Sequence, residues 1–192
     1  DTIESACASG VTFLQLREKN KGGREYLDLA FKVKKITDNY NIPLIIDDRI
    51  DIALAVDAAG VHVGVDDIPV EYARKILGEN KIVGATAKTV ENAKKAVESG
   101  ADYIGTGAIF PTTTKVKTKL TKVSTLNEIC KAVSVPVVAI GGLNIDNIGV
   151  LDDSPIDGIA VVSAIMKASD PKAAAHTLKN RIVQIINNNN KE

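Results

Sequence analysis

Short apolar runs recur along the chain in alternation with helical patterns, and this rhythm limits the possible folds more than any other feature. The runs are "VTFLQL" (11–16), "IPLIID" (42–47), "GVHVG" (60–64), "KIVGAT" (81–86), "DYIGTG" (102–107), "PVVAIGG" (136–142) and "DGIAVVS" (157–163). They are continuous rather than alternating, as parallel strands covered on both faces should be. Between them, "REYLDLAFKVKKI" puts Tyr26, Leu29, Ala30, Val33 and Ile36 on one helical face. "PVEYARKIL" begins with Pro69 at the first helical position and stops at Gly78. "TVENAKKAVESG" has Thr89 as N-cap and Gly100 as stop. "DPKAAAHTLKNRIVQII" places Ala174, Leu178, Ile182 and Ile185 on one side.

Strands alternating with helices, without a break in composition, predict an α/β fold. A barrel and an open doubly wound sheet both satisfy that pattern. Two features favour a TIM (β/α)8 barrel: polar residues stand at strand ends all along the chain, and "GTGAIF" lacks the third glycine of a dinucleotide fingerprint. "TIESACASG" (2–10) reads as the end of a helix capped by Gly10, so a first barrel strand is expected ahead of residue 1. One domain is expected over residues 1–192, with 187–192 as a disordered tail.

Composition removes several function classes. The 192 residues carry 24 basic and 24 acidic side chains, a net charge of 0, which argues against a nucleic-acid partner. Trp is absent and aromatics are 4%, so base-stacking platforms are not expected. Cys7 and Cys130 have no metal-type spacing and read as packing residues in a reduced, cytoplasmic setting. No apolar run reaches the roughly 18 residues of a membrane span, so no membrane partner is expected.

In a barrel of this kind the chemistry gathers at the C-terminal strand ends. Those positions hold Gln15, Arg17 and Lys19, then Asp47, Asp48 and Arg49, then His62 with Asp66 and Asp67 beyond it. Thr86 and Lys88 follow, then Thr112, Thr113, Thr114 and Lys115, then Gly141, Gly142 and Asn144, and last Val162 and Ser163. Short hydroxyls, backbone N–H groups and ammonium groups are what phosphate oxygens accept from. The pattern suggests two anion subsites. In one, Asp48 and Asp67 would hold Mg²⁺ while Arg17 and Lys19 hold phosphates. In the other, the Gly141–Gly142 turn and the N–H groups at Val162 and Ser163 would grip a second phosphate.

Each element has a plainer reading. Asp47–Asp48–Arg49 could be a surface turn with local ion pairs, and Gly141–Gly142 a strand-ending turn. The lysines at 115, 117, 119 and 122 read as a solvated loop, Lys115 excepted. His62 could be an interior histidine whose hydrogen bonds are satisfied by its neighbours.

"GVTFLQLREKN", "LIIDDRIDIALAVDAAGVHVGVDDIP", "GADYIGTGAIFPTTTK", "VPVVAIGGLNIDNI" and "DGIAVVSAI" resemble the thiamine-phosphate synthase family, in order and over nearly the whole chain. The resemblance implies a barrel that joins hydroxymethylpyrimidine diphosphate to a thiazole phosphate with Mg²⁺, releasing diphosphate by a dissociative route. It implies that Gln15, Arg17 and Lys19 bind the diphosphate and pyrimidine end, with Asp47 beside them, and that Asp48 and Asp67 bind the metal. Thr112, Thr114 and Lys115 would surround the joined substrates, and Gly142, Val162 and Ser163 would bind the thiazole phosphate. Lys115, Arg17 and Thr86 would carry the catalytic roles. It also implies small phosphorylated substrates as partners, and a homodimer. Against the family pattern, Asp47 stands where Asn is usual, Val65 where Gln is usual and Thr86 where Ser is usual, and "LDDSPIDGI" replaces a small-residue entry to the last strand. A thiazole tautomerase on the same fold is the nearest alternative, although Lys88 occupies the region where that reaction relies on a histidine. A Schiff-base aldolase lacks a lysine in "DYIGTG". A non-catalytic binder of phosphorylated ligands is the third alternative.

Overall fold

The computed structural model describes residues 1–112 and 119–189. Helix α1 (Thr2–Cys7) is followed by strand β1 (Leu14–Leu16), helix α2 (Gly23–Asn39), β2 (Leu44–Asp47), α3 (Ile50–Ala55) and β3 (Gly60–Val63). Then come α4 (Val70–Leu77), β4 (Ile82–Thr86), α5 (Val90–Glu98), β5 (Tyr103–Gly107), α6 (Val123–Ala132) and β6 (Val137–Ile140). A 3-10 turn (Ile148–Leu151), β7 (Gly158–Ala160), α7 (Ser163–Met166) and α8 (Pro171–Asn189) complete the order.

All seven apolar runs contain a strand, and the strands pair in chain order, β1 to β7, every pair parallel. An open doubly wound sheet reverses its strand order at a switch point. No reversal occurs here, so that alternative is set aside. The sheet also curls. Phe13, just ahead of β1, meets the Tyr103 ring of β5 edge-on at 5.4 Å between centroids. In a flat sheet, strands four places apart would be separated by about 19 Å. The helices follow the same curl, with α1 packed against α8 and α7 as well as α2.

Side chains on the convex face fill the layer between sheet and helices. Leu44, Ile46, Val61, Val63, Val83, Ala85 and Ile104 are buried there with Ala30, Val33, Ala73, Leu126 and Ile129 from the helices. Thr89 caps α5 as expected, its hydroxyl accepting from Asn92 N–H, while Pro69 stands one place before α4 as its cap residue. The helices α3 and α6, unmarked in the sequence, begin after Arg49 and Lys122 with no side-chain cap. In α8 the buried face uses Ala175 rather than Ala174, with Leu178, Ile182 and Ile185. The same helix runs to Asn189, whose side-chain amide donates to Ser154 O at 2.8 Å. The tail expected from residue 187 is therefore corrected: 187–189 belong to the helix, because docking supplies a partner that local propensity did not.

The N-terminal strand ends spend their charge on structure. The Asp102 carboxylate accepts from Val83 N–H at the start of β4, and Asp157 accepts from Val137 N–H at the start of β6. The Arg74 guanidinium donates to Gly100 O, Gly78 O and Lys81 O and pairs with Asp102. Among the described residues no helix is long and apolar enough to cross a membrane.

Candidate functional site

The C-terminal ends of β1 and β2 are held together from behind by Tyr26 of α2. Its hydroxyl, buried under the sheet, donates to Leu16 O at 2.8 Å and lies 3.3 Å from Asp47 O. Burial and the nearby Asp47 charge push the phenol up to about 12, so it stays protonated. With these two carbonyls fixed, the residues after them converge.

Asp47 is the centre of the cluster. It ends β2, points to the concave face and is only 7% exposed. Gln15 Nε2 donates to its Oδ1, Arg17 Nε lies 3.2 Å from its Oδ2 and Lys19 Nζ lies 3.9 Å from it. Lys19 also pairs with Asp48. Burial pushes the Asp47 carboxyl above its ordinary range, against the pull of Lys19, Arg17 and Gln15, and the Asp67 charge adds to the rise. The surface-turn reading of 47–49 survives only for Arg49, which pairs locally with Asp51. Asp48 has φ 62, a left-handed conformation that turns its side chain toward Lys19 instead of continuing the strand.

Beyond β3, Asp67 Oδ2 accepts from Gly64 N–H at 2.7 Å, which shapes the turn that carries it. Asp66 and Val65 on the same turn are exposed. His62, inside β3, is the interior histidine of the plainer reading: its Nδ1 is 2.9 Å from Tyr103 Oη and its Nε2 2.9 Å from Thr86 Oγ1. Burial pushes its pKa down to about 4, so the ring is neutral at neutral pH. Thr86 ends β4 and is half-buried. Lys88 Nζ donates to Lys119 O at 3.1 Å, engaging the lysine with the segment that leads into α6.

The second cluster lies after β6 and β7. Gly141 and Gly142 have φ 101 and 66. A Cβ on Gly142 would stand 2.6 Å from Pro111 O and 2.7 Å from Phe110 Cβ, so the turn lies directly against the segment entering the Thr-rich loop. Asn147 Nδ2 donates to Gly142 O at 2.9 Å and holds the turn from outside. Val162 is the N-cap of α7 and Ser163 its first residue, both exposed at the end of β7. Thr112 ends the described part of its segment. Thr114 and Lys115 lie outside the described residues.

The structure therefore brings Gln15, Arg17, Lys19, Asp47 and Asp48 into one contact cluster, sets Asp67 and Thr86 on the adjoining strand ends, and places Gly142, Val162 and Ser163 after β6 and β7. Sequence reasoning missed Tyr26 and Tyr103. The signal for Tyr103 was available: Gly84 and Gly105 interrupt two apolar strands, and a Cβ on Gly84 would fall 2.1 Å from Tyr103 Cζ.

Comparison with known proteins identifies the family. The family described as thiamine monophosphate synthase matches residues 1–165. The chain is 55% identical over 184 residues to "Thiamine-phosphate synthase 2" of Streptococcus pneumoniae, covering 96% of this chain and 88% of the relative. It is 57% identical over 166 residues to the "Thiamine-phosphate synthase" of Enterococcus faecalis, covering 86% and 78%. Among solved structures it superposes with a TM-score of 0.89 on thiamine phosphate pyrophosphorylase from Pyrococcus furiosus, at 38% identity and over 96% of this chain and 89% of that one. With its motifs, strand order and family match in agreement, this chain belongs to the thiamine monophosphate synthase family.

Proposed function

We propose that this chain is a transferase that joins hydroxymethylpyrimidine diphosphate to thiazole phosphate, giving thiamine phosphate and diphosphate. The observation that carries the reading is the cluster at the ends of β1 and β2. Arg17 and Lys19 are two cations held at a strand end by carboxylates, side by side and open on their outer side, with side chains 33% and 42% exposed. That is a receptor for an anion of high charge density.

The donor set fits Mg²⁺. Asp48 and Asp67 offer hard carboxylate oxygens beyond two neighbouring strands, β2 and β3. Mg²⁺ bound through one or two carboxylates completes its shell with water and phosphate oxygens. When bound, the ion would neutralise charge on the departing diphosphate.

The chain's own residues do the rest. Arg17 and Lys19 hold the diphosphate and take up the charge that grows as its C–O bond breaks. Thr112, Thr114 and Lys115 would contribute as the family resemblance implies, Lys115 as a third cation for the departing charge. The bond breaks with its electrons going to diphosphate. The pyrimidine methylene cation left behind is captured by the thiazole nitrogen, and exclusion of water protects it until then. The Gly142 turn and the N–H groups at Val162 and Ser163 hold the thiazole phosphate. Such chemistry requires no strong base, and Cys7 and Cys130, whose thiols burial pushes up, are unsuited to be nucleophiles.

The same proposal includes closure of the curled sheet as a TIM barrel, with an eighth strand between β1 and β7, and a cytoplasmic homodimer as the working form. The deciding experiment mixes purified protein with both substrates and Mg²⁺ and follows thiamine phosphate. Product that requires both substrates and the metal supports the reading. Isomerised thiazole phosphate alone, or binding without turnover, overturns it.

A further inference from the structure

Inside the curl, three side chains from three adjacent strands form a line of hydrogen bonds. Tyr103 opens β5 at the N-terminal end, and its ring lies over Gly84, its register partner. Its hydroxyl reaches His62 Nδ1 at 2.9 Å, and His62 Nε2 reaches Thr86 Oγ1 at 2.9 Å. The His62 ring lies over Gly105, where a Cβ would stand 3.1 Å from Cε1. Two bare glycines thus make the space the two rings occupy. The line runs from the closed end of the sheet to the strand ends that carry the site.

A neutral imidazole has one N–H donor and one acceptor nitrogen. The two hydroxyls therefore cannot play the same part. Either Tyr103 donates and Thr86 accepts, or the reverse. A phenol is the stronger acid and the better donor, and its oxygen is the poorer acceptor because its lone pair is shared with the ring. In the reverse arrangement the Tyr103 proton would need a second acceptor, and the hydroxyl's hydrogen bond among the described residues is the one to His62. An unpaired hydroxyl in this position carries a desolvation cost. Burial and the Asp47 charge both hold the phenol in its protonated form.

We propose that Tyr103 and His62 are positioning residues that fix the Thr86 hydroxyl as a hydrogen-bond donor aimed at the substrate. Tyr103 donates to Nδ1, the Nε2–H donates to Thr86 Oγ1, and the Thr86 proton is left for an acceptor atom on the bound pyrimidine diphosphate. The part played by Thr86 rests on the transferase reading above; the tautomer of His62 does not.

Two measurements test it on the full chain. The first is long-range ¹H–¹⁵N NMR of the imidazoles, with His176→Gln to assign the two histidines. The expected result is a bare, pyridine-type Nδ1 and a protonated Nε2 on His62. A protonated Nδ1 overturns the proposal, whatever reaction the protein performs. The second is a kinetic cycle with Tyr103→Phe, which keeps the ring against Phe13 and Gly84, and Thr86→Val, which keeps the shape of Thr86. Tyr103→Phe is expected to lower kcat about tenfold with KM little changed, and to have no further effect once Thr86 is Val. Thr86→Ser is expected to restore most of the rate lost in Thr86→Val. Fully additive losses overturn the proposal. The predicted tautomer in a protein that makes no thiamine phosphate would overturn the transferase reading and the role of Thr86 while leaving the hydrogen-bond order standing.

Discussion

Arg17 Nε lies 3.2 Å from Asp47 Oδ2, so one of the two cations best placed for a diphosphate is already engaged by a buried carboxylate. Asp47 therefore acts as a brake on anion binding as well as a support for the cations. Replacing it with Asn keeps an oxygen for Gln15 Nε2 and removes the charge. We expect Asp47→Asn to lower KM for the pyrimidine diphosphate about two- to fivefold, the scale of an ion pair with one partly exposed partner. Initial rates against that substrate check it, and an unchanged or higher KM contradicts the competition.

Asp67 serves two purposes, a turn and a charge. Its Oδ2 accepts from Gly64 N–H. Asp67→Asn can keep that bond while weakening any hold on a divalent cation. Stability should stay within about 0.5 kcal/mol. At low Mg²⁺, turnover should fall by about 10²–10³, the cost of losing one transition-state stabiliser, and high Mg²⁺ should restore part of it. Rates across a Mg²⁺ titration, with chelator as the zero point, decide it; a wild-type Mg²⁺ profile would remove Asp67 from the metal site.

Gly142 combines φ 66 with no room for a Cβ beside Pro111 O and Phe110. Gly142→Ala carries a left-handed penalty of about 1–2 kcal/mol and must also push the turn away from Phe110. Because the displaced turn presents its N–H groups poorly, KM for thiazole phosphate should rise about tenfold or more, the scale of one hydrogen bond lost to a charged group, with KM for the diphosphate substrate little changed. Titration calorimetry with phosphorylated and unphosphorylated thiazole provides the check. Equal affinities for the two would leave the phosphate assignment without support.

His62 predicts a pH dependence of stability. Its folded pKa, about 4, lies below the ordinary 6.5 of an unfolded histidine. Between those values the unfolded chain binds a proton that the folded chain does not. Stability is therefore full above about pH 6.5 and falls as pH drops toward 4, by about 3 kcal/mol in total. Asp47, whose folded carboxyl is raised, works in the opposite direction, so the comparison is with His62→Gln. Urea midpoints from pH 7.5 to 4.5 should fall less steeply in that variant. Parallel curves would assign the slope to other groups.

The strand rhythm, the parallel sheet and the polar strand ends were legible in the amino-acid order because they depend on local periodicity. A strand covered on both faces must be apolar throughout, and a turn that needs a left-handed residue takes Gly, as at Gly142. The residues with charges suited to phosphate could be read for the same reason: Arg17, Lys19, Asp48 and Asp67 follow strands at short intervals. What only the tertiary structure decided is which groups neutralise one another. Whether Asp47 is a surface-turn residue is decided by curling of the sheet, which buries it between Gln15, Arg17 and Lys19. Tyr103 has no assigned role at the level of sequence, yet the register that sets it over Gly84 brings its hydroxyl to His62, 41 positions away in the chain. Such pairings depend on strand order, register and curvature, which sum weak contacts over the whole domain, and no short stretch of sequence encodes them.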